Sequence, residues 1–254
     1  MTSLWRVAVR VSPDRSEEVR ATFVALAPDG FEERDVDGQL ELGLYVDVEG
    51  LESVRAHLHG AMVTPVEGGW EDAWRTFHRP VEVAGIWVGP PWETPPDPSR
   101  AVVIDPGQAF GTGAHPTTRL CVELLAGMAP AGSLLDVGCG SGVLGIAAAK
   151  LGFGPITCVD VDPVAVETTI ANAAANGVAV EVRVVDALSE PLPLVDVAVA
   201  NVLLAPVETI LARLDAREAI TSGYLAGERP AHPGWAHDET AVLEGWAADR
   251  FRTL

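Results

Sequence analysis

The stretch LLDVGCGSGVLGIAAAKLG, residues 134–152, carries the pattern that decides the fold. A continuous apolar strand ends at Val137, a helix of small residues ends at Gly152, and only a short turn separates them. Three glycines occupy alternate positions in that turn: Gly138, Gly140 and Gly142. A strand, a glycine-rich turn and a helix in immediate succession are typical of a parallel β-sheet covered by helices.

The residues that follow repeat the alternation of strand and helix. The predicted strands are ITCVDVD (156–162), AVEVRVV (179–185) and VDVAVAN (195–201), and the predicted helices are PVAVETTIANAAANG (163–177) and APVETILARL (205–214). This order predicts the α/β class, with a doubly wound, mostly parallel sheet over residues 101–254. Because ligands bind beyond the carboxyl ends of such strands, functional side chains are expected where the strands end.

The first part of the chain predicts a separate small α+β domain over residues 1–66. Its strands and helices are expected in the ferredoxin-like order β-α-β-β-α-β. They are LWRVAVRV (4–11), SPDRSEEVRATFVAL (12–26), FEERDV (31–36), QLELGLYVDV (39–48), LESVRAHLHG (51–60) and AMVTPV (61–66). Asp37-Gly38 is a typical hairpin dipeptide between the second and third strands.

Residues 67–100 are rich in tryptophan and proline, and they predict a connection that leads into the second domain through a strand near GIWVG (85–89). Trp70, Trp74 and Phe77 recur at helical spacing. Aromatic side chains in that pattern favour packing over ligand binding.

Composition narrows the class of partner. The 254 residues carry a formal net charge of −19, which argues against nonspecific binding to nucleic acid and suits a cationic partner, although an acidic surface also keeps a protein soluble. Cys121, Cys139 and Cys158 form no C-x-x-C pair, which argues against a zinc site or a disulfide framework and favours a reducing compartment. Without a membrane-spanning apolar run or a secretory leader, we expect a cytoplasmic protein with no membrane contact.

The glycine-rich turn indicates the kind of ligand. A dinucleotide fingerprint needs a glycine at position 143, where this chain has Val143. Asp136, just before the turn, is poorly suited to a pyrophosphate but suits an ammonium group. The pattern therefore favours a nucleoside that bears an amino acid, such as S-adenosylmethionine, over a dinucleotide. A tight strand-to-helix turn without a ligand would explain one glycine more readily than three.

Polar residues end the next strands. Asp160 can accept both hydroxyls of a ribose, while Asp160 or Asp162 can also cap the following helix. Asp186 ends the third strand and can meet an adenine amine. Asn201 ends the fourth strand, where its amide oxygen can orient a neutral amine, and the alternative is that Asn201 caps a helix.

A second glycine-rich segment, DPGQAFGTGAHPTTRL (105–120), combines turn-forming residues with hydroxyls and an imidazole. A ligand-binding loop explains this composition, and so does a well-capped start of a helix.

Four segments together resemble a known family. DPGQAFGTGAHPTTRL, LLDVGCGSGVLGIAA, VDVDPVAVETTIANAAANG and VANVLLAP are similar to the bacterial methyltransferases of ribosomal large-subunit protein eleven, over roughly residues 67–225. The resemblance implies a Rossmann-like methyltransferase domain that uses S-adenosylmethionine to methylate lysine and N-terminal amines. It also implies that the preceding domain recognises the ribosomal protein.

The resemblance also implies residue roles. Thr118, Gly138, Asp160 and Asn201 match cofactor contacts of the family. Phe110, His115 and Thr117 match positions that line the amine pocket, where His115 would accept a hydrogen bond or a proton. The predicted catalytic set is Asn201, His115, Thr117 and Phe110; the predicted cofactor set is Thr118, Asp136, Gly138, Gly140, Gly142, Asp160 and Asn201.

The chain departs from the family in AGERPAHPGWAHDE (226–239), which is short and broken by prolines where the family has a longer helix. We interpret the chain as an S-adenosylmethionine-dependent protein amine methyltransferase whose partner is the ribosomal protein. The alternatives are methylation of another protein lysine or of a small molecule, and a cofactor-binding module without turnover. Asn201 and His115 favour an enzyme.

Overall fold

The computed structural model describes residues 5–12, 19, 22–23, 26, 31–36, 39–46, 48–58, 60–66, 79–105, 113–130 and 132–254. The chain divides into two compact units, Met1–Phe77 and His78–Leu254. None of the helices among the described residues combines the length and the apolar character that a bilayer crossing requires.

The first unit is built on a four-stranded antiparallel sheet in the order β2-β3-β1-β4. Its elements are β1 (Trp5–Val11), β2 (Glu32–Val36), β3 (Gln39–Val46), α1 (Val48–His57) and β4 (Met62–Pro65). Val36 pairs with Gln39, so two residues connect β2 to β3 as the hairpin dipeptide predicts. Four strands and the second helix are thus confirmed. Most of the predicted first helix lies outside the described residues, so the complete ferredoxin-like order stays a prediction.

The second unit begins with a small sheet in the order β5-β6-β7. Its strands are β5 (Val81–Val83), β6 (Ile86–Gly89) and β7 (Ala101–Val103). β6 confirms the strand predicted near residues 85–89, and β7 runs parallel to it. Trp70, Trp74 and Phe77 lie outside the described residues, and the functional division at residues 66 and 100 stays a prediction.

The large sheet has seven strands in the order β10-β9-β8-β11-β12-β14-β13. The strands are β8 (Leu134–Val137), β9 (Ile156–Asp160), β10 (Glu181–Val184), β11 (Val195–Asn201), β12 (Ala216–Leu225), β13 (Trp235–Leu243) and β14 (Trp246–Thr253). The helices are α2 (Pro116–Gly127), α3 (Val143–Leu151), α4 (Pro163–Ala175) and α5 (Leu204–Leu211). The first five strands in this order pair in parallel, and β14 runs against its neighbours. The predicted doubly wound, mostly parallel sheet is confirmed.

Apolar clusters bury both faces of this sheet. In β8, Leu134 belongs to one cluster and the adjacent Leu135 to the other, because successive side chains of a strand point to opposite faces. A strand buried on both sides therefore needs an unbroken apolar run, which is the pattern that LLDV shows. The strand order reverses between β8 and β11, so the crevice expected at a topological switch point lies at the carboxyl ends of these strands.

The short segment 226–234 joins β12 directly to β13, where the family resemblance implies a longer helix. Trp235 is buried there, and its indole Nε1 donates to the carbonyl oxygen of Leu211 at the end of α5, 2.9 Å away. The indole thus packs against the sheet face beside α5.

Candidate active site

The glycine-rich turn joins β8 to α3 at the carboxyl edge of the large sheet. Gly138, Gly140 and Gly142 have φ angles of 70°, 53° and 80°, a region that side chains disfavour. A β-carbon on Gly138 would lie 2.6 Å from Val202 Cγ1, and one on Gly142 would lie 2.7 Å from Thr169 Cγ2. The packing of the protein itself therefore requires glycine at these two positions, whatever the turn binds.

Asp160, at the end of β9, holds this turn from the neighbouring strand. Its Oδ2 accepts a hydrogen bond from the Gly140 N–H at 2.9 Å, and its Oδ1 accepts from the Asp162 N–H at 3.0 Å. Asp162 caps α4 by accepting from the Val164 N–H at 2.9 Å, as predicted. Asp162 thus caps the helix while Asp160 holds the turn, and the contact of the half-buried Asp160 with a ribose stays a prediction.

Asp136 is almost fully buried beneath the turn, with 1% of its surface exposed. Its Oδ2 accepts a hydrogen bond from the Gly145 N–H of α3 at 2.8 Å. Burial raises the pKa of Asp136 to about 7, and the nearby Asp160 charge acts in the same direction. The carboxyl group therefore has a partner inside the protein, and its action on a ligand ammonium group stays a prediction.

His115 caps α2. Its Nδ1 accepts from the Thr117 N–H at 3.4 Å and lies 2.7 Å from Thr117 Oγ1. Burial lowers the pKa of His115, which favours the neutral ring near pH 7. The ring meets Trp246 edge-to-face, with centroids 4.9 Å apart. The well-capped helix start is thus confirmed, and acceptance of a hydrogen bond or a proton from an amine by His115 stays a prediction.

Asn201, at the end of β11, meets the first turn of α2. Its Nδ2 donates to Thr118 Oγ1 at 3.3 Å, across 83 residues of sequence. Thr118 is 1% exposed, whereas Asn201 is only half-buried. The structure therefore brings together the predicted Asn201 and Thr118, and it places the neighbouring cap residues His115 and Thr117 on the same helical turn.

Exposure divides the predicted residues into two groups. His115, Gly138, Gly140, Asp160 and Asn201 are half-buried at the edge, where a ligand can reach them. Thr117, Thr118, Asp136 and Gly142 are buried behind that edge. The first group is accessible at the edge, and contact of these residues with a ligand stays a prediction.

Two predicted residues fall outside this arrangement. Phe110 lies outside the described residues. Asp186 follows β10, where its Oδ2 accepts from the Ser189 hydroxyl at 2.7 Å and its Oδ1 from the Leu188 N–H at 3.0 Å. The bond from Ser189 lowers the pKa of Asp186. The contact of Asp186 with an adenine amine stays a prediction.

Gly223 is a site residue that the sequence reasoning missed. It lies at an irregularity of β12 between Ser222 and Tyr224 and has a φ of 103°. A β-carbon there would overlap the carbonyl oxygen of Val202, while the Val202 N–H donates to Ser222 O at 3.1 Å. Gly223 thus lets the backbone directly after Asn201 approach β12. An isolated glycine within a predicted strand is the signal that could have found it.

Thr169 on α4 was also missed. It is fully buried, and its hydroxyl donates to the carbonyl oxygen of Gly140 at 2.9 Å and lies 3.3 Å from Cys139 Sγ. A buried hydroxyl therefore holds the glycine-rich turn from the side of α4. The available signal was a polar residue on the inward face of a helix that is otherwise rich in alanine.

Comparison with known proteins identifies one family. The family model for ribosomal protein L11 methyltransferase (PrmA) matches residues 34–248. The ribosomal protein L11 methyltransferase of Legionella pneumophila strain Philadelphia 1 is 35% identical over 215 residues, which are 78% of this chain and 73% of that protein. The protein of the same name from Dechloromonas aromatica is 44% identical over 147 residues, or 57% of this chain and 49% of that protein.

A solved structure agrees with the sequence relatives. The crystal structure of ribosomal protein L11 methylase from Lactobacillus delbrueckii subsp. bulgaricus superposes with a TM-score of 0.59 and 27% identity, over 66% of this chain and 94% of that chain. Since the family model covers both the glycine-rich turn and Asn201, the match includes the edge described above. The chain therefore belongs to the ribosomal protein L11 methyltransferase (PrmA) family.

Proposed function

We propose that this chain transfers methyl groups from S-adenosylmethionine to amines of ribosomal protein L11, on lysine side chains, at the N-terminus, or on both. The substrate follows from the names of its relatives. One structural observation carries the chemistry: the ends of β8, β9 and β11 bring the glycine-rich turn, Asp160 and the Asn201–Thr118 pair to one edge of the sheet.

The chemistry of these groups fits S-adenosylmethionine. The turn exposes backbone with no side chain at Gly138 and Gly140, which allows close approach of a ligand. The Asp160 carboxylate can accept hydrogen bonds from a ribose diol. The cofactor supplies an electrophilic methyl group on a sulfonium, and the neutral amide of Asn201 suits the neighbourhood of that cation.

The amine must be neutral when it attacks. A lysine side chain has a pKa near ~10.4, so only a small fraction is unprotonated at pH 7. In this arrangement Nδ2 of Asn201 donates to Thr118 Oγ1, which leaves Oδ1 as the atom that can accept an N–H of the amine. That acceptor orients the nitrogen lone pair towards the methyl group, and orientation of this kind lowers the barrier to transfer.

The neutral ring of His115, packed on Trp246, forms a further wall of this proposed amine pocket. We assign the reaction to the cytoplasm, and the three free, buried cysteines support a reducing compartment. The net charge of −19 suits a cationic protein substrate.

The test is methyl transfer itself. Purified protein is incubated with S-adenosylmethionine and intact ribosomal protein L11, and the product is analysed by mass spectrometry. We expect additions of whole methyl groups on amines of L11. Methylation of other ribosomal proteins but not of L11 would make the substrate assignment wrong. Tight cofactor binding without transfer to any ribosomal protein would instead indicate a module without turnover.

A further inference from the structure

Strand β7 needs hydrogen-bond partners on both of its edges. On one edge it pairs with β6, and this pairing continues to Ile104, whose N–H donates to the Gly89 carbonyl at 2.9 Å. The N–H and C=O groups of alternate residues of a strand point to the same side. Val103 and Asp105 therefore direct their backbone groups away from β6, and those groups require partners of their own.

Two asparagines supply these partners: Asn172 on α4 and Asn176 directly after the end of that helix. Asn176 Oδ1 accepts from the Val103 N–H at 2.7 Å, and Asn176 Nδ2 donates to the Val103 carbonyl at 2.6 Å. One turn earlier, Asn172 Oδ1 accepts from the Asp105 N–H at 3.1 Å. Four residues of a helix rise by about 6 Å, close to the ~6.6 Å between alternate residues of a strand. The two amides therefore replace a neighbouring strand.

Asn172 has one contact that Asn176 lacks. Its Nδ2 donates to the carbonyl oxygen of Ser141, within the glycine-rich turn, at 2.9 Å. The second bond of Asn176 Nδ2, at 2.8 Å, instead returns to the carbonyl of Asn172 within its own helix. Both residues are buried, so neither bond is readily replaced by water. A single buried amide thus joins the glycine-rich turn to Asp105.

We infer that Asn172 is a positioning residue that sets the glycine-rich turn relative to Asp105, directly after strand β7. The inference rests on the proposed function, because the turn is where the cofactor would bind. Loss of the Asn172 amide removes one hydrogen bond to the Ser141 carbonyl and one from the Asp105 N–H together. Loss of the Asn176 amide removes the bonds to Val103 and to the Asn172 carbonyl, and none to the glycine-rich turn. The two positions therefore form a matched pair.

The experiment compares Asn172→Ala with Asn176→Ala in the full chain. Both variants lose hydrogen bonds to the backbone of residues 103–105, so we expect both to melt at a lower temperature than the parent. Only Asn172→Ala is expected to weaken S-adenosylhomocysteine binding in calorimetry, by about tenfold, the effect of one lost buried hydrogen bond. In methylation assays its KM for S-adenosylmethionine should rise by a similar factor, whereas Asn176→Ala keeps the parent KM.

Equal loss of affinity in the two variants overturns the inference, as does an Asn172→Ala protein that binds like the parent. If Asn172→Ala does not fold, Asn172→Asp is compared with Asn176→Asp. Each carboxylate can still accept from the backbone N–H of Val103 or Asp105. Only Asn172→Asp removes the N–H donor that binds the Ser141 carbonyl. The parent protein separates this inference from the proposed function: a parent that binds no S-adenosylhomocysteine contradicts the function, whereas a binding parent with equal variants contradicts the role of Asn172.

Discussion

Asn201 illustrates how one side chain acquires a defined orientation. In the structure, its Nδ2 donates to the buried hydroxyl of Thr118 in the first turn of α2. The opposite atom, Oδ1, then becomes the acceptor at the edge of the sheet. A helix-capping role, the alternative left open by the sequence, does not describe this contact, because α5 begins after Leu203 and has no side-chain cap.

Replacing Asn201 by Ala tests this role. We expect kcat to fall by roughly 10²-fold or more, because the amine loses the acceptor that orients it. The melting temperature should change little, since the bond to Thr118 is a single contact of a half-buried side chain. Single-turnover methylation at saturating cofactor measures the step, and Thr209→Ala on the exposed side of α5 is the control. Transfer at the parent rate by an early-melting variant would assign Asn201 to stability alone.

Asp136 provides a prediction about pH. Because burial raises its pKa to about 7, the native protein binds a proton more readily than the unfolded chain, in which a carboxyl group titrates near ~4. The contribution of Asp136 to the free energy of unfolding therefore falls as pH rises from about 4 to about 7. Asn at this position keeps an acceptor for the Gly145 N–H without a charge.

We expect Asp136→Asn to melt at a higher temperature than the parent above about pH 7, with a difference that shrinks as the pH falls towards about 5. Melting curves in the absence of cofactor measure this. Two proteins whose melting temperatures differ by a constant amount across that range would show that Asp136 does not titrate there.

The residues of the candidate site lie where helices begin, where strands end, or where a strand departs from regular pairing. α2 begins at the His115 cap, α3 begins after Gly142, and the irregularity at Gly223 shapes β12 where it meets the residue after Asn201. Each of these features sits at the carboxyl edge of the sheet, and the strand interiors carry apolar residues instead. The site is therefore sensitive to backbone conformation at a few positions.

Gly223 can be compared with Gly227, which has a similar φ of 101° but open space where a β-carbon would lie. Alanine at either position costs roughly 1–3 kcal/mol for the left-handed backbone conformation. Only Gly223→Ala adds the overlap with Val202, so it should be the less stable variant and should also bind S-adenosylhomocysteine more weakly. Chemical denaturation and calorimetry measure both effects. Equal stability and equal affinity of the two variants would contradict a close approach at Gly223.

Substitutions of His115 can separate its capping of α2 from its proposed role in the amine pocket. Ala at this position removes the bond to the Thr117 N–H and should cost about 1 kcal/mol of stability, whereas Asn restores a cap. If His115 also forms the amine pocket, His115→Asn should melt like the parent yet methylate more slowly. Melting curves and kcat, measured on all three proteins, decide this. If His115→Asn methylates at the parent rate, His115 acts only as the N-cap of α2.

At the level of the whole molecule, the chain consists of two compact units, Met1–Phe77 and His78–Leu254. The second unit contains every described residue of the candidate site, including the seven-stranded sheet and the supporting contacts from Thr169 and Asn172. The first unit has its own core, formed around Phe23, Leu42 and Leu44. Cofactor binding and substrate selection can therefore belong to different parts of the chain.

A protein that begins at His78 tests this division. We expect it to bind S-adenosylhomocysteine with the Kd of the full chain, because the turn, Asp160 and Asn201 all remain. Methylation of intact ribosomal protein L11 should be lost, because the unit proposed to recognise that protein is absent. Methylation at the rate of the full chain would place substrate recognition in the second unit.

Local features of this sequence were sufficient to predict the helices and strands and the roles of several residues. The strand before Gly138, the end of α3 at Gly152 and the cap at Asp162 each depend on residues within a few positions of one another. The periodicity of apolar residues and the cap preferences express such short-range physics directly. The α/β class followed from the alternation of these elements.

The partners of Asn201, Asn172 and Thr169 could not be predicted in the same way. Their contacts with Thr118, Asp105 and Gly140 span 83, 67 and 29 residues. Many polar groups compete for such bonds in the unfolded chain, and only the packed sheet and helices select one pair. The same packing buries Asp136 and raises its pKa, because desolvation depends on what surrounds a group in space and not on its neighbours in sequence.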